Sequence, residues 1–177
     1  MFERRLAAAA ASFAWLACAA AQEGPGLGVP ATPEQVAGWD VSIGPDGAGL
    51  PPGSGTAAAG KTVYEAKCVA CHGVDGAGQP NDRLVGGQGT LKEAAPIRTI
   101  GSYWPYATTV FDYVRRAMPY VTPHSLTPDE TYALTAYLLA LNGVIEQNAV
   151  MDATTLPKVV MPNRANFDSA YREPRRR

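Results

Sequence analysis

Residues 68 to 72 read Cys68-Val69-Ala70-Cys71-His72, which is the C-x-x-C-H signal for covalent attachment of a c-type haem. Two thiols at this spacing near the end of a helix lie close together, so both can form thioether bonds to the vinyl groups of one haem. The next residue, His72, is then held beneath the iron as the proximal ligand. The motif therefore predicts one covalent haem c, bound through Cys68 and Cys71, with His72 on the iron.

A C-x-x-C pair also occurs in redox dithiols and in zinc sites, and both are alternatives here. A redox dithiol is typical of a thioredoxin-like βαβ unit, of which this sequence shows no sign. A zinc site needs further Cys or His ligands, and the only others in the chain are Cys18 and His124. The haem interpretation is therefore favoured.

The first 21 residues are typical of a secretory signal peptide. Two arginines stand near the start, an apolar and alanine-rich run follows, and Ala19-Ala20-Ala21 fits the cleavage rule. This pattern predicts cleavage before Gln22 and export to the periplasm, which agrees with the attachment of bacterial c-type haem outside the cytoplasm. The alternative is a lipoprotein signal that uses Cys18, although the residues before it match that pattern poorly.

Length and charge restrict the remaining possibilities. The chain has 177 residues, enough for one domain with extensions, and its formal net charge of −1 argues against nucleic acid as a partner. No run of about 18 or more apolar residues follows the leader, so no transmembrane helix is expected in the mature chain.

The mature sequence divides into three parts. Residues 22–55 form an arm rich in Gly and Pro, in which Thr32 and Pro33 predict one short helical turn. We interpret the arm as a strap on the domain, with a disordered linker as the alternative. Residues 56–143 form the predicted helical domain, and residues 144–177 form a tail.

Three helices are predicted in the domain, so the fold class is all-α. The first runs from Thr56 to Cys68, the second opens at Pro105 and ends at about Ala117, and the third begins at a capping box, Thr127-Pro128-Asp129-Glu130, and stops at Asn142-Gly143. The glycine at position 60 lies inside the first helix, where it costs roughly 1 kcal/mol relative to alanine. We therefore expect a close approach of the last helix at this point.

The sixth iron ligand separates an electron carrier from a haem enzyme or sensor with an open iron site. The candidates are Met118, Met151, Met161 and His124. We favour Met118 because it follows a helix and precedes Pro119, which holds the backbone away from helical geometry.

Other residues are candidates for supporting roles at the haem. His72 needs an acceptor for its second ring nitrogen, and the carbonyl of Pro80 in the following glycine-rich loop is the expected partner. Tyr103 and Trp104 are candidates to donate to a haem propionate, with ordinary core packing as the alternative.

Helix, C-x-x-C-H, glycine loop, Met-Pro loop and final amphipathic helix together resemble a class I cytochrome c over residues 56–143. The resemblance implies a class I cytochrome c fold, here with an extended N-terminal arm and a C-terminal tail. It also implies that Gly60 and Tyr64 meet the last helix near Tyr137.

A narrower resemblance extends from about residue 27 to 162. The sequence is similar to the cytochrome subunit of the Sox sulfur dehydrogenase in several runs, among them Leu50-Pro51-Pro52-Gly53-Ser54-Gly55, Leu84-Val85-Gly86-Gly87-Gln88-Gly89, Ile100-Gly101-Ser102-Tyr103-Trp104-Pro105-Tyr106 and Arg115-Arg116-Ala117-Met118-Pro119. The resemblance implies a molybdenum-cofactor partner of the sulfite dehydrogenase type, which passes electrons to the cytochrome. Some members of that family carry two haems in a longer chain, whereas this chain has one C-x-x-C-H.

These observations predict a periplasmic monohaem cytochrome that transfers single electrons in sulfur-compound oxidation and catalyses no substrate reaction on its own. Its expected partners are the molybdenum dehydrogenase and a downstream cytochrome or oxidase, with Arg115 and Arg116 as candidates to steer an acidic surface. One alternative is a freely diffusing carrier to a terminal oxidase. Others are a haem enzyme or sensor with an open iron site, and an exported structural domain without haem.

Overall fold

The computed structural model describes residues 27–167, and the chain separates into two compact units, residues 1–40 and 41–177. The predicted signal peptide and Cys18 lie outside the described residues. The first unit contains helix α1, Pro33–Trp39, which begins at a capping box between Thr32 and Gln35. This is the short helix that Thr32 and Pro33 predict.

Over residues 41–167, the second unit contains four α-helices and a two-stranded antiparallel ribbon. In chain order these are β1 (Ser54–Thr56), α2 (Ala57–Lys67), α3 (Val69–His72), α4 (Ala107–Ala117), α5 (Pro128–Leu141) and β2 (Val150–Asp152). Short 3-10 turns lie at Val74–Gly76, Thr90–Lys92, Leu156–Lys158 and Arg164–Asn166. The predicted helical fold class is confirmed, with a small ribbon that the sequence did not indicate. Within residues 27–167, no helix has both the length and the apolar character needed to cross a membrane.

Three of the helices that the structure describes begin at side-chain caps, in agreement with the sequence signals. The Thr56 hydroxyl accepts from the amide of Ala59 at the start of α2, and α5 begins with the predicted capping box between Thr127 and Glu130. The start of α4 was predicted wrongly at Pro105. The helix begins two residues later, at Ala107, because its N-cap Tyr106 has extended backbone angles (φ −139°, ψ 137°).

Helix α5 is the centre of the core. All of its residues from Thr131 to Ala140 are buried, whereas an amphipathic helix was expected from the sequence. Two threonines on this helix satisfy their hydroxyls locally, since Thr131 donates to the carbonyl of Thr127 and Thr135 to that of Thr131. The helix can therefore be covered on every side without leaving these polar groups unpaired.

Helices α2 and α5 cross at a glycine, as expected. A Cβ atom at Gly60 would lie 1.9 Å from the carbonyl oxygen of Ala133 and 2.8 Å from the Cβ of Tyr137. The rings of Tyr64 and Tyr137 meet one turn further on, with centroids 5.4 Å apart. The end of α2, which leads directly into the C-x-x-C-H motif, is therefore fixed against the most buried helix of the fold.

The ribbon joins the segment before α2 to the segment after α5. Strands β1 and β2 pair with Gly55 opposite Met151, and Gly55 also packs directly on α5, since a Cβ there would lie 2.2 Å from the amide nitrogen of Ala133. Beyond the ribbon, Leu156 and Met161 are fully buried in the core. The chain after α5 is thus part of the core as far as Met161.

Candidate haem site

The C-x-x-C-H motif folds as a short helix that continues α2 after a break. Cys68 is the C-cap of α2, with φ −125° and ψ −34°, and the amides of Cys71 and His72 donate to its carbonyl at 3.1 and 3.0 Å. Both cysteines are free thiols; Cys68 is half-buried and Cys71 is exposed. The two thiols therefore lie on one turn of helix, with the histidine directly after them.

The surroundings of the Cys68 thiol favour its protonated form. Burial raises the pKa of this thiol to about 11, with Lys67 acting in the opposite direction and Cys71 raising it further. Reactive cysteines of redox dithiols have lowered pKa values, because the thiolate is the nucleophile. Within residues 27–167, no three Cys, His, Asp or Glu side chains form a group that could hold a metal ion. Two cysteines followed directly by a histidine fit covalent haem attachment.

The ring of His72 is held by a backbone carbonyl through Nδ1. Its acceptor is Asp82, at 2.9 Å, and not Pro80 as predicted. The chain doubles back around Pro80, because the amide of Asn81 donates to the carbonyl of Cys71 and that of Gln79 to the carbonyl of Asn81. The carbonyl that reaches the ring therefore comes later in the loop. With the Nδ1 proton used in this bond, Nε2 is the nitrogen available to iron.

Two buried tyrosines tie down the backbone that follows His72. Tyr64 donates to the carbonyl of Gly73 at 2.8 Å, and Tyr137 donates to Oδ1 of Asp75 at 2.9 Å. Burial raises the pKa of Tyr64 to about 12, and burial followed by the bond to Asp75 raises that of Tyr137 further. Both tyrosines therefore remain protonated donors at neutral pH.

The sequence did not indicate that Asn142 contributes to the site. It was assigned only as the stop of the last helix, and it is indeed the C-cap of α5. Its side chain also reaches the loop after the motif, where Nδ2 donates to the carbonyl of Leu84 at 3.2 Å and Oδ1 accepts from the amide of Gly86 at 3.1 Å. Asparagine after a helix is so common that its sequence context carries no signal for this second role.

The four candidates for sixth ligand lie at different depths. Met118 has extended backbone angles (φ −120°, ψ 145°), as predicted, and its half-buried side chain packs against the core. Met151 and Met161 are 5% and 1% exposed and are part of the core itself. His124 is exposed. Among the three methionines that the structure describes, Met118 is the most exposed.

The two aromatic candidates for propionate contacts differ in their surroundings. Tyr103 is 39% exposed, and its ring meets the Arg98 guanidinium at 5.6 Å and the ring of Phe167 at 5.3 Å. Trp104 is half-buried and packs edge-to-face on Tyr113 at 5.6 Å. Within residues 27–167, neither the Tyr103 hydroxyl nor the Trp104 Nε1 donates to a protein acceptor. Their role at a propionate remains a prediction.

The arrangement fits a haem. Two free thiols and an imidazole with a fixed tautomer lie on one short helix, and a half-buried thioether follows α4. Apolar side chains that pack on the core but stay partly uncovered include Val63, Val69, Leu84, Met118 and Leu141. A porphyrin is a large apolar surface, and burying it against such side chains is favourable.

Comparisons with known proteins agree with this site. The family model for cytochrome c matches residues 57–142. A chain in the crystal structure of the sulfane dehydrogenase SoxCD from Paracoccus pantotrophus is 44% identical, and the match covers 81% of this chain and 71% of that chain with a TM-score of 0.78. No curated protein sequence matches this chain significantly.

Proposed function

Because this chain belongs to the class I cytochrome c family, we propose that it is an exported monohaem subunit that accepts electrons from a molybdenum sulfite or sulfur dehydrogenase. The family is one of electron-transfer proteins with covalently bound haem c. The proposal adds the compartment, the single haem, the ligands and the partner.

In this proposal Cys68 and Cys71 tether the haem, and His72 and Met118 are its axial ligands. When bound, the haem supplies one-electron redox chemistry at iron. The chain contributes a nitrogen ligand of fixed tautomer and a thioether, which favours the ferrous state and raises the potential relative to two histidines. An iron bound by both His72 and Met118 would leave no position for a substrate.

The observation that carries the proposal is the geometry of His72. The ring follows directly on the helix that bears both thiols, and its Nδ1 is already occupied by the Asp82 carbonyl at 2.9 Å. A metal-bound histidine usually donates its other ring nitrogen in this way. A solvated surface histidine has no need of such a partner.

The proposed partner is supported by the similarity to a chain of a sulfane dehydrogenase over most of this sequence. Arg116 is engaged within the chain, since its guanidinium pairs with Asp112 at 2.9 Å and donates to the carbonyl of Val41 at 3.4 Å. Arg115 is therefore the better candidate of the two to steer an acidic partner surface.

Expression of the full chain in a host that matures c-type cytochromes tests the haem assignment. We expect the periplasmic fraction to contain a protein that starts at Gln22 and is heavier by the mass of one haem. Cys68→Ala combined with Cys71→Ala should abolish that added mass. A wild-type protein without covalent haem would contradict the proposal.

Mixing the oxidised protein with a molybdenum sulfite or sulfur dehydrogenase from the same organism tests the partner. We expect the haem to be reduced when the sulfur substrate is added, and the two proteins to co-purify. Reduction without co-purification would favour a diffusing carrier.

Carbon monoxide binding by the native ferrous protein at neutral pH would favour the alternative of an open iron site.

A further inference from the structure

A single side chain at the end of α5 holds the loop that carries the partner of His72. We call residues 82–88 the proximal loop. Asn142 is 8% exposed, and its amide bonds Leu84 and Gly86 of this loop as described above. Its main-chain carbonyl also accepts from Nε2 of Gln88 at 3.2 Å. Asn142 therefore contacts alternate residues of a segment more than 50 positions away in sequence.

Leu84, which Asn142 bonds, lies close in sequence to Asp82, whose carbonyl accepts from His72 Nδ1. Only Arg83 separates Leu84 from Asp82. Leu84 is bound through both backbone groups, since its amide donates to the carbonyl of Gly76 at 2.8 Å while its carbonyl accepts from Asn142. The position of Asp82 is thus set by a neighbour that cannot shift without breaking both bonds.

Helix capping alone does not explain the environment of Asn142. The side chain contributes to the cap through one bond, from Nδ2 to the carbonyl of Leu138 at 2.8 Å. The Asn142 side chain also packs against Gly101. A Cβ atom at this position would come within 2.3 Å of the Asn142 Oδ1, so the amide occupies the space that a side chain would need. The Thr99 hydroxyl donates to the carbonyl of Gly86, so this residue is held from two directions. The loop, the glycine and the threonine are all arranged around the amide.

We propose that Asn142 is a positioning residue for the proximal ligand. It keeps the proximal loop in place, so that the Asp82 carbonyl remains on Nδ1 of His72 and fixes the tautomer and orientation of the ring toward iron. The inference rests on the proposed function in one respect, namely that His72 binds haem iron.

The test compares Asn142→Leu, which is similar in shape but has no polar group, with Gln147→Leu. Gln147 also donates an amide hydrogen to a carbonyl near the end of α5, that of Ala140, but has no hydrogen bond to the proximal loop. Exchange of the His72 Nδ1 proton with solvent is followed by NMR in the reduced haem protein. Loss of the loop bonds should accelerate it about tenfold or more in Asn142→Leu, as expected from losing a typical hydrogen bond or two. Gln147→Leu should leave it near the wild-type rate.

Backbone amides in the middle of α5, such as that of Leu139, provide the internal reference. If Asn142 acted only on global stability, its replacement would accelerate the reference amides and the His72 proton by the same factor. The proposal requires the His72 proton to accelerate more. An equal acceleration, or no acceleration of the His72 proton, overturns it.

A second variant covers the case in which Asn142→Leu does not accumulate. Asn142→Asp keeps the shape and the acceptor for Gly86 but loses the donor to Leu84 and Leu138, so acceleration of the His72 proton is expected, and its absence overturns the proposal. The failures of the two proposals are distinguishable. Absence of covalent haem from the wild type contradicts the proposed function, whereas a normal wild-type haem with unresponsive His72 exchange contradicts only the role of Asn142.

Discussion

A methionine side chain can serve as core or as ligand, and burial is the observation by which we favour Met118 over Met161 as the ligand. Met161 and Met118 are both followed by proline, so the dipeptide alone does not distinguish them. Met161 is 1% exposed among core residues, whereas Met118 is half-buried at the end of α4. The fully buried thioether of Met161 fills space in the core, and moving it to an iron would leave a cavity behind.

Met118→Ala should remove the weak near-infrared sulfur-to-iron band of the oxidised protein and allow the ferrous protein to bind carbon monoxide. Met161→Ala is the matched control. It should retain the band and lower the free energy of unfolding by about 2–5 kcal/mol, because it leaves a cavity in the core. Survival of the band in Met118→Ala would show that another residue is the ligand.

The kind of group that accepts a hydrogen bond from His72 could be predicted from the sequence, but the residue that supplies it could not. A metal-bound imidazole needs an acceptor for its second nitrogen, and a loop rich in glycine offers backbone carbonyls. The choice of Asp82 over Pro80 depends on bonds that Gln79 and Asn81 make where the chain reverses. Such local reversals leave no periodic pattern in a sequence.

Among the elements, the crossing of α2 and α5 depends on the absence of a side chain at Gly60. A backbone carbonyl, that of Ala133, occupies the space that a Cβ would need. Glycine inside a helix is unfavourable by itself, so the close approach is what offsets it. This approach also lets Tyr64 and Tyr137 reach the loop behind His72.

Gly60→Ala should destabilise the protein, although it improves helix propensity by about 1 kcal/mol. Overpacking of this kind costs roughly 1–3 kcal/mol, and the upper end is expected because the obstructing atom belongs to the backbone. Gly38→Ala in α1 is the control, since no atom lies within 4 Å of the added Cβ there. Urea denaturation measures both. Equal stabilities for the two variants would contradict the close approach.

The capping signals were sufficient to locate most helices, because they are local. Thr32, Thr56 and Thr127 each begin a helix where their hydroxyl bonds an amide three residues later. Pro105 misled the prediction of α4, because the extended Tyr106 intervenes. Strands β1 and β2 have three residues each, too few to establish an alternating pattern, and their pairing joins positions almost 100 residues apart.

At the scale of the whole molecule, the segments outside the family-matched region complete the core. Helix α5 is buried on every side, and a helix that is apolar all round needs more neighbours than α2 and α4 can supply. Ile43 and Leu50 from the segment before the ribbon, and Leu156 and Met161 from the segment after it, pack against that core. The sequence predicted a strap on the domain for residues 22–55, but not which side chains are buried.

Leu156→Ala should lower the free energy of unfolding by about 2–5 kcal/mol, as for other fully buried leucines. Its side chain is 0% exposed, whereas that of the nearby Val160 is 73% exposed. Val160→Ala should therefore change stability by no more than about 0.5 kcal/mol. A Leu156→Ala protein as stable as the wild type would show that this segment is dispensable for the core.

The dependence of stability on alkaline pH should report the buried tyrosines of the whole fold. Burial raises the pKa of Tyr64 and Tyr132 to about 12, and the negative charges of Asp75 near Tyr64 and Asp152 near Tyr132 act in the same direction. In the unfolded chain the same phenols ionise near pH 10. The folded state therefore holds more protons than the unfolded state between about pH 10 and 12. Below pH 10 these groups do not change the stability, and as the pH rises through that window the stability falls.

Urea midpoints of the reduced protein should fall between about pH 10 and 12, together with the rise of tyrosinate absorbance. Tyr132→Phe should make the fall shallower, although it loses a bond of 2.9 Å to the carbonyl of Pro51 and is less stable at neutral pH. A wild-type midpoint that does not change from pH 10 to 12 would mean that these phenols are not held protonated by the fold.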